Sequence, residues 1–189
     1  MGEGERAIDR NAPVVVRDAA EDDLAATLDI YNELIPSTTI AWTEDLQTLD
    51  ERRSWFEEQR RRGFPVIVAV EDDVVIGTAA FGDFRDSVHW PGYRFTAELS
   101  IHVRGDRRGR RVGRLLMEEL LARARAGGIH VLVAAIDAAN GESIAFHERL
   151  GFVEVGRMPE TGWKFGRRLD LVLMQRFVGV EPAGSAPRR

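Results

Sequence analysis

The spacing of apolar and polar residues changes period several times along the chain, and each change marks an element. Val14 to Arg17 reads as a short strand. Asp18, with Glu21 three residues on, forms a capping box that opens a helix carrying Leu24, Leu28, Tyr31, Leu34 and Ile35 on one side and ending at Pro36. After the polar loop STTIAWTED, Thr48 and Glu51 form a second box ahead of a helix with Trp55 and Phe56 that stops at Gly63. PVIVAV and VVIGTAAF flank the acidic turn Glu71, Asp72, Asp73 and predict an antiparallel hairpin. Through RFTAELSIHV the period is two: Phe95, Ala97, Leu99, Ile101 and Val103 alternate with Thr96, Glu98, Ser100 and His102. Val112, Leu115, Leu116 and Leu120 then recur at helical spacing until Gly127 and Gly128. IHVLVAAI suits a buried strand, NGESIAFHERLG a short helix closed by Gly151, and GFVEVGRM and RRLDLVLMQRF two last strands. This order predicts an α/β layer structure around one central mixed sheet.

Composition narrows the picture. A chain of 189 residues, 44% of them apolar, is the size of one domain that builds its own core. Residues 14–178 carry the periodic pattern, whereas 1–13 read as a disordered N-terminal segment and 179–189 as a flexible tail. With no Cys, disulfides, a Cys-ligated zinc and a thiol nucleophile are excluded. Histidines at 89, 102, 130 and 147 show no metal-ligand spacing, so no metal is expected. The polar start of the chain and the lack of a membrane-length apolar run predict a cytoplasmic protein with no membrane partner. The net charge of −5 repels polyanions, which argues against nucleic acid and confines any anion site to a local patch.

One such patch exists. Six arginines fall between Arg104 and Arg114, immediately before a helix, with Gly109 and Gly113 among them. Helix N-termini present free N–H groups and a positive dipole end, and glycine admits close approach, so the place suits a pyrophosphate. An arginine-rich turn also fits a solvated, salt-bridged face. The spacing is neither G-x-x-x-x-G-K-[ST] nor G-x-G-x-x-G. Further on, Asn140, Ser143 and His147 share a helix face at offsets of three and seven, although Asn140 as a plain N-cap on a wet stripe fits equally. Glu98 sits mid-strand between apolar neighbours, either facing solvent or partly desolvated with a raised pKa.

Together these segments resemble the GNAT superfamily of acyl-CoA-dependent N-acyltransferases. RGRRVG, Arg108 to Gly113, resembles the Q/R-x-x-G-x-G/A pyrophosphate element, and NGESIAFHERLGF resembles the family's Asn/Ser helix. TAELSIHV, YNELIPSTTIAW and GFVEVGRMPETGWKFGRRLDLVLMQ are similar to the branch containing phosphinothricin and methionine sulfone or sulfoximine acetyltransferases, so the likeness spans Val14 to Phe177. It implies the GNAT fold: an α/β (α+β) architecture with a mixed, mostly antiparallel sheet of about six to seven strands, four flanking helices and splayed strands that take CoA. It also implies acetyl-CoA as co-substrate, a small amine acceptor and a homodimer. Ile101, His102 and Val103 are then expected to bond the pantetheine arm, with Asn140 and Ser143 beside it. Arg108, Gly109, Arg110, Arg111, Val112, Gly113 and Arg114 would hold the pyrophosphate. Glu98 would be the general base, and His147 either a general acid toward the sulfur or a structural hydrogen bond. Arg85, Gly92, Tyr93, Arg94, Trp42 and Lys164 would line the acceptor site, with Trp163 a further wall. Two departures stand out: Arg111 replaces the first glycine of the family's G-x-G, and His102 replaces a usual Tyr.

Overall fold

The structure, a computed structural model, describes residues 13–179; the expectations for 1–12 and 180–189 lie outside the described residues. Seven strands form one sheet: β1 (Val15–Asp18), β2 (Val66–Glu71), β3 (Val74–Asp83), β4 (Thr96–Val103), β5 (Val131–Asp137), β6 (Val153–Lys164) and β7 (Arg167–Phe177). Their spatial order is β1-β2-β3-β4-β5-β7-β6. Every neighbouring pair is antiparallel except β4 with β5. Four α-helices accompany them among the described residues: α1 (Leu24–Leu34), α2 (Leu49–Arg61), α3 (Val112–Ala126) and α4 (Gly141–Arg149). This is the GNAT fold that the resemblance implied.

Local chemistry explains most boundaries. The Thr48 hydroxyl accepts from Glu51 N while the Glu51 carboxylate accepts from Thr48 N at 2.7 Å, so the second capping box forms as read. The first does not: Asp18 ends β1, and Asp23 receives Ala20 N at 2.7 Å together with the Arg17 guanidinium at 2.6 and 2.9 Å. That ion pair places the acid five residues later than the sequence pattern suggested. The stripe of α1 is also rotated, since Leu24, Thr27, Ile30 and Leu34 are buried whereas Leu28 and Tyr31 are partly open. Asp72 and Asp73 both take positive φ, 50° and 61°, which makes a two-residue hairpin turn of the kind that follows strand twist.

The main core lies between the sheet and α3. Leu116, Met117 and Leu120 are fully buried against Ile67, Ile76, Ala97 and Leu132. Each such side chain contributes roughly 1.5–3 kcal/mol through burial. β6 runs six residues beyond the Met158 end that periodicity predicted. Its pairing with β7 shifts register between Met158 and Gly162, a segment that contains Pro159, and resumes to Lys164 opposite Arg167. Proline is compatible with this place because β6 is an edge strand.

The parallel pair opens the molecule. β4 and β5 share only three rungs, Thr96 with Val131, Ala97 with Leu132, and Glu98 with Val133. Beyond them Leu99–Val103 and Ala134–Asp137 separate, and a cleft fills the gap.

Candidate active site

The cleft, about 1210 Å³, is lined by both parted strands, the start of α3, the start of α4, and α1 with the loop that follows it. Strand alternation decides what each face offers. Ala97 and Leu99 are buried under α3, with Ile101 and Val103 packed against the same cluster. Glu98, Ser100 and His102 therefore project to the α1 side, where Tyr31, Leu34, Ile40 and Trp42 complete the wall.

Glu98 is half-buried, and among the described residues its carboxylate has no hydrogen-bond or ion-pair partner. Desolvation raises its pKa, with no neighbouring charge in opposition. A carboxylate of this kind is a stronger base than an exposed one and takes a proton nearer neutral pH.

At the other end, α3 begins from a strained turn. Gly109 has φ of 75°, and Arg111, the N-cap residue, has φ of 66°, the left-handed region where glycine is at home. The glycine usual at this place thus has a conformational reason, and Arg111 adopts the same backbone at a cost. Leu115 N makes the helix's first bond, to Arg111 O at 3.0 Å, so the amides of Val112, Gly113 and Arg114 precede any helical acceptor. Arg108, Arg111 and Arg114 line the cleft here. Arg114 pairs with Glu118 at 2.7 Å, whereas Arg108 and Arg111 have no ion-pair partner among the described residues. Backbone amides, a dipole end and uncompensated guanidinium groups converge on one anion-sized seat. Arg110 is not part of it: its guanidinium turns away to Glu71 at 2.8 and 3.2 Å.

The α4 residues gather as the spacing predicted, but not on a wet stripe. His147 is buried, edge-on to Phe146 and Phe152 with ring centroids 5.2 Å away. Its Nδ1 lies 2.8 Å from the Ser143 carbonyl, an acceptor only, so Nδ1 carries the hydrogen and Nε2 keeps the lone pair. Nε2 is buried without a partner among the described residues, and desolvation lowers the ring's pKa. In this state His147 accepts a hydrogen bond and has no proton to donate from the free nitrogen, which argues against the general-acid role. Asn140 is the N-cap of α4, accepting from Ser143 N at 3.1 Å, and it lines the cleft.

His102 also lines the cleft, through a partly buried side chain. It meets Tyr31 edge-on at 5.6 Å, and burial together with the nearby Arg52 charge lowers its pKa to about 4. Arg52 itself is buried between the Tyr31 and Trp55 rings, 4.9 and 5.0 Å from their centroids.

Of the acceptor-side expectations, Trp42 lines the cleft, its Nε1–H donating to Thr39 O at 3.0 Å. Its ring lies so close to Gly162 that a Cβ there would fall 2.3 Å away. Lys164 is corrected: it is fully buried and its ammonium donates to the carbonyls of Ile35, Thr38 and Ala41, each at 2.7 Å. Three carbonyl partners meet the three donors of an ammonium, so nothing of Lys164 reaches a ligand. Arg85, Gly92, Tyr93 and Arg94 belong to the β3–β4 connection and do not line the cleft; Arg85 stacks on Tyr93 at 5.5 Å and Arg94 on Phe95 at 4.3 Å. Trp163 is 59% exposed and lies outside as well. Residues that the sequence did not single out stand in the wall instead: Tyr31, Ile40, and Asp137, whose carboxylate accepts from the Thr39 hydroxyl. Among the described residues no group of three or more His, Cys, Asp or Glu side chains is placed to hold a metal, and no helix is long and apolar enough to cross a membrane.

A sheet split between parallel neighbours, with an anion seat at one mouth and an unpaired carboxylate at the parting point, is the layout of an N-acetyltransferase. Comparison with known proteins agrees, since the acetyltransferase (GNAT) family matches residues 27–152, and the chain belongs to that family. It is 44% identical over 173 residues, 91% of this chain and 98% of the relative, to the L-methionine sulfoximine/L-methionine sulfone acetyltransferase of Pseudomonas paraeruginosa. A ribosomal-protein-alanine N-acetyltransferase structure from Brucella melitensis superposes with a TM-score of 0.83 at 44% identity, covering 86% of this chain and 99% of that one. A phosphinothricin acetyltransferase from Sinorhizobium meliloti, solved in complex with acetyl-CoA, gives a TM-score of 0.84 at 35% identity over 93% of each chain. The chain is accordingly an acetyltransferase of the GNAT family.

Proposed function

We propose that the protein transfers acetyl from acetyl-CoA to the α-amine of a small amino-acid-like acceptor of the methionine sulfone, methionine sulfoximine or phosphinothricin type, by direct attack within a ternary complex. The observation that carries this reading is the unpaired, desolvated Glu98 carboxylate in the same cleft as the α3 anion seat. The pyrophosphate lies on the amides of Val112 to Arg114 with Arg108 and Arg111 beside it. The pantetheine arm follows the gap between β4 and β5 as an added strand would, bonding the backbone of Ile101 to Val103 and the Asn140 amide.

The acceptor amine must lose a proton before its lone pair can attack, and Glu98 takes that proton directly or through a water. The new N–C bond forms at the thioester carbonyl, whose oxyanion is met by free backbone N–H groups of the splayed strand. The C–S bond then breaks, and the departing CoA thiolate takes up the second proton that the attacking nitrogen sheds, leaving the neutral amide and CoA thiol. Neutral His147 has a structural part beside the CoA arm, its Nδ1–H donating to the Ser143 carbonyl and holding the first turns of α4.

The relative from Pseudomonas and the acetyl-CoA complex from Sinorhizobium support the acceptor class. The Brucella structure favours a second reading, a protein N-terminus as acceptor. Thiol release from acetyl-CoA decides between them: turnover with methionine sulfone, methionine sulfoximine or phosphinothricin, and not with alanyl peptides, is expected, and the reverse pattern overturns the proposal. A homodimer of cytoplasmic chains built from residues 14–178 belongs to the same reading, supported by exposed Val153, Val155, Met158 and Trp163 on edge strand β6.

A further inference from the structure

The six arginines from Arg104 to Arg114 do not share one task. Arg104 and Arg107 both pair with Asp106, at 3.1 and 2.7 Å, and Arg114 with Glu118. Arg107 and Arg110 converge on one carboxylate: Glu71 Oε2 accepts from Arg107 Nε at 3.0 Å and from Arg110 Nη1 at 3.2 Å, and Oε1 accepts from Arg110 Nη2 at 2.8 Å. Glu71 is completely buried and Arg107 nearly so. Glu71 ends β2 just before the Asp72–Asp73 turn, so a rigid hairpin grips the mobile-looking sequence RGDRRGRR at two points. The grip brackets Arg108 and Gly109, and one residue after Arg110 comes the left-handed Arg111 that starts α3.

We propose that Glu71 is the positioning residue of the donor site: by holding Arg107 and Arg110 it fixes the turn in which Arg108, Arg111 and the first α3 amides face the cleft. The assignment rests on the reading of that seat as the pyrophosphate site. Two effects of removing the Glu71 charge oppose each other. One more net positive charge beside the seat attracts an anion more strongly. Loss of the anchor lets the turn leave its strained geometry and misplaces every group that meets the anion. The geometric effect governs, because donors to a diphosphate act only within hydrogen-bond range and orientation.

The test compares acetyl-CoA with S-acetylpantetheine, which lacks the pyrophosphate. In Glu71→Gln the ratio of kcat/KM for acetyl-CoA to that for S-acetylpantetheine falls about tenfold, carried by KM for acetyl-CoA. The ratio cancels any loss of folded enzyme, which a merely structural role would produce for both donors alike. If Glu71→Gln does not fold, the paired change Glu71→Met with Arg107→Leu replaces the buried charges by apolar groups while still releasing Arg110, and the same fall is expected. An unchanged or increased ratio overturns the assignment. Calorimetry of the unaltered protein with CoA separates the two failures: no CoA binding overturns the donor-site reading as well, whereas CoA binding with an unchanged ratio overturns only the role of Glu71.

Discussion

Glu98 stands directly across from Val133 on the final rung that β4 and β5 share. Past that point the strands hold no bonds with each other, so the carboxylate sits where a closed, apolar sheet becomes an open wedge. Its burial and its access to a reacting amine have one cause.

Replacing Glu98 by Gln therefore lowers kcat by about two orders of magnitude and flattens the acidic limb of the pH profile, while CoA affinity holds. The sign for stability is opposite. A carboxyl whose pKa is higher folded than unfolded holds more protons in the folded state, so stability drops as pH rises from the unfolded to the folded value. At neutral pH the Gln variant is at least as stable as the parent in urea titration. A variant that keeps full activity across the profile removes Glu98 from the mechanism.

His102 carries the reverse dependence. Its pKa is lowered from 6.5 to about 4, so the unfolded chain takes up a proton first as pH falls and the folded state loses stability across that interval. His102→Phe, which keeps a ring against Tyr31, reduces the slope of stability between pH 6.5 and pH 4. His147, whose pKa is lowered too, contributes to the part that persists, together with the carboxylates whose pKa is shifted. Denaturation midpoints at a series of pH values give both slopes, and identical slopes in parent and variant would refute the assignment.

Lys164→Met strips the carbonyls of Ile35, Thr38 and Ala41 of their shared donor inside the protein. A loss of about 3 kcal/mol or more in unfolding free energy is expected. The KM for the amine rises with it, because the released turn carries Ile40 and Trp42 of the cleft wall. Were Lys164 a ligand-binding group instead, stability would be nearly unaltered.

Gly162→Ala drives a methyl into the Trp42 ring, and the ring rather than β6 must move. Acceptor KM and the ranking of acceptors by size change, while KM for acetyl-CoA stays within twofold. Equal shifts in both constants would place Trp42 outside the acceptor side.

Arg111→Gly relieves the left-handed strain at the α3 cap, roughly 1 kcal/mol, partly offset by the freedom glycine adds to the unfolded chain. It also removes a guanidinium from the seat. CoA binding therefore weakens and its salt dependence becomes shallower, as titration at two ionic strengths reveals; unchanged affinity and salt dependence would remove the Arg111 side chain from the seat.

Local patterns disclosed most of the architecture. The Thr48–Glu51 box, the Asp72–Asp73 turn, the alternation through β4 and the glycines after α3 are short-range signals, and each element they mark is present. What escaped depends on distant partners. Lys164 reads as a polar residue near a pocket because its carbonyls lie more than a hundred residues earlier in the chain. Arg110 reads as one more phosphate ligand because Glu71, in a turn that looks wholly solvated, gives no sign in sequence of being buried. Asp18 and Asp23 are chemically equal caps until Arg17 chooses between them. The split has no signature in the residue pattern itself: the alternation of TAELSIHV and the apolar run IHVLVAAI do not announce that β4 and β5 stop pairing after three rungs, and only the family resemblance implied splayed strands.

The Lys164 clasp has a further bearing on how the enzyme comes into being. The loop after α1 is among the first segments to leave the ribosome, yet the cation that secures it is encoded 129 positions beyond Ile35. Such a remote closure belongs to the slow, late part of folding. The nascent polypeptide thus stays catalytically silent until its last hairpin emerges, and chains cut short before that hairpin have no finished chamber in which to acetylate anything.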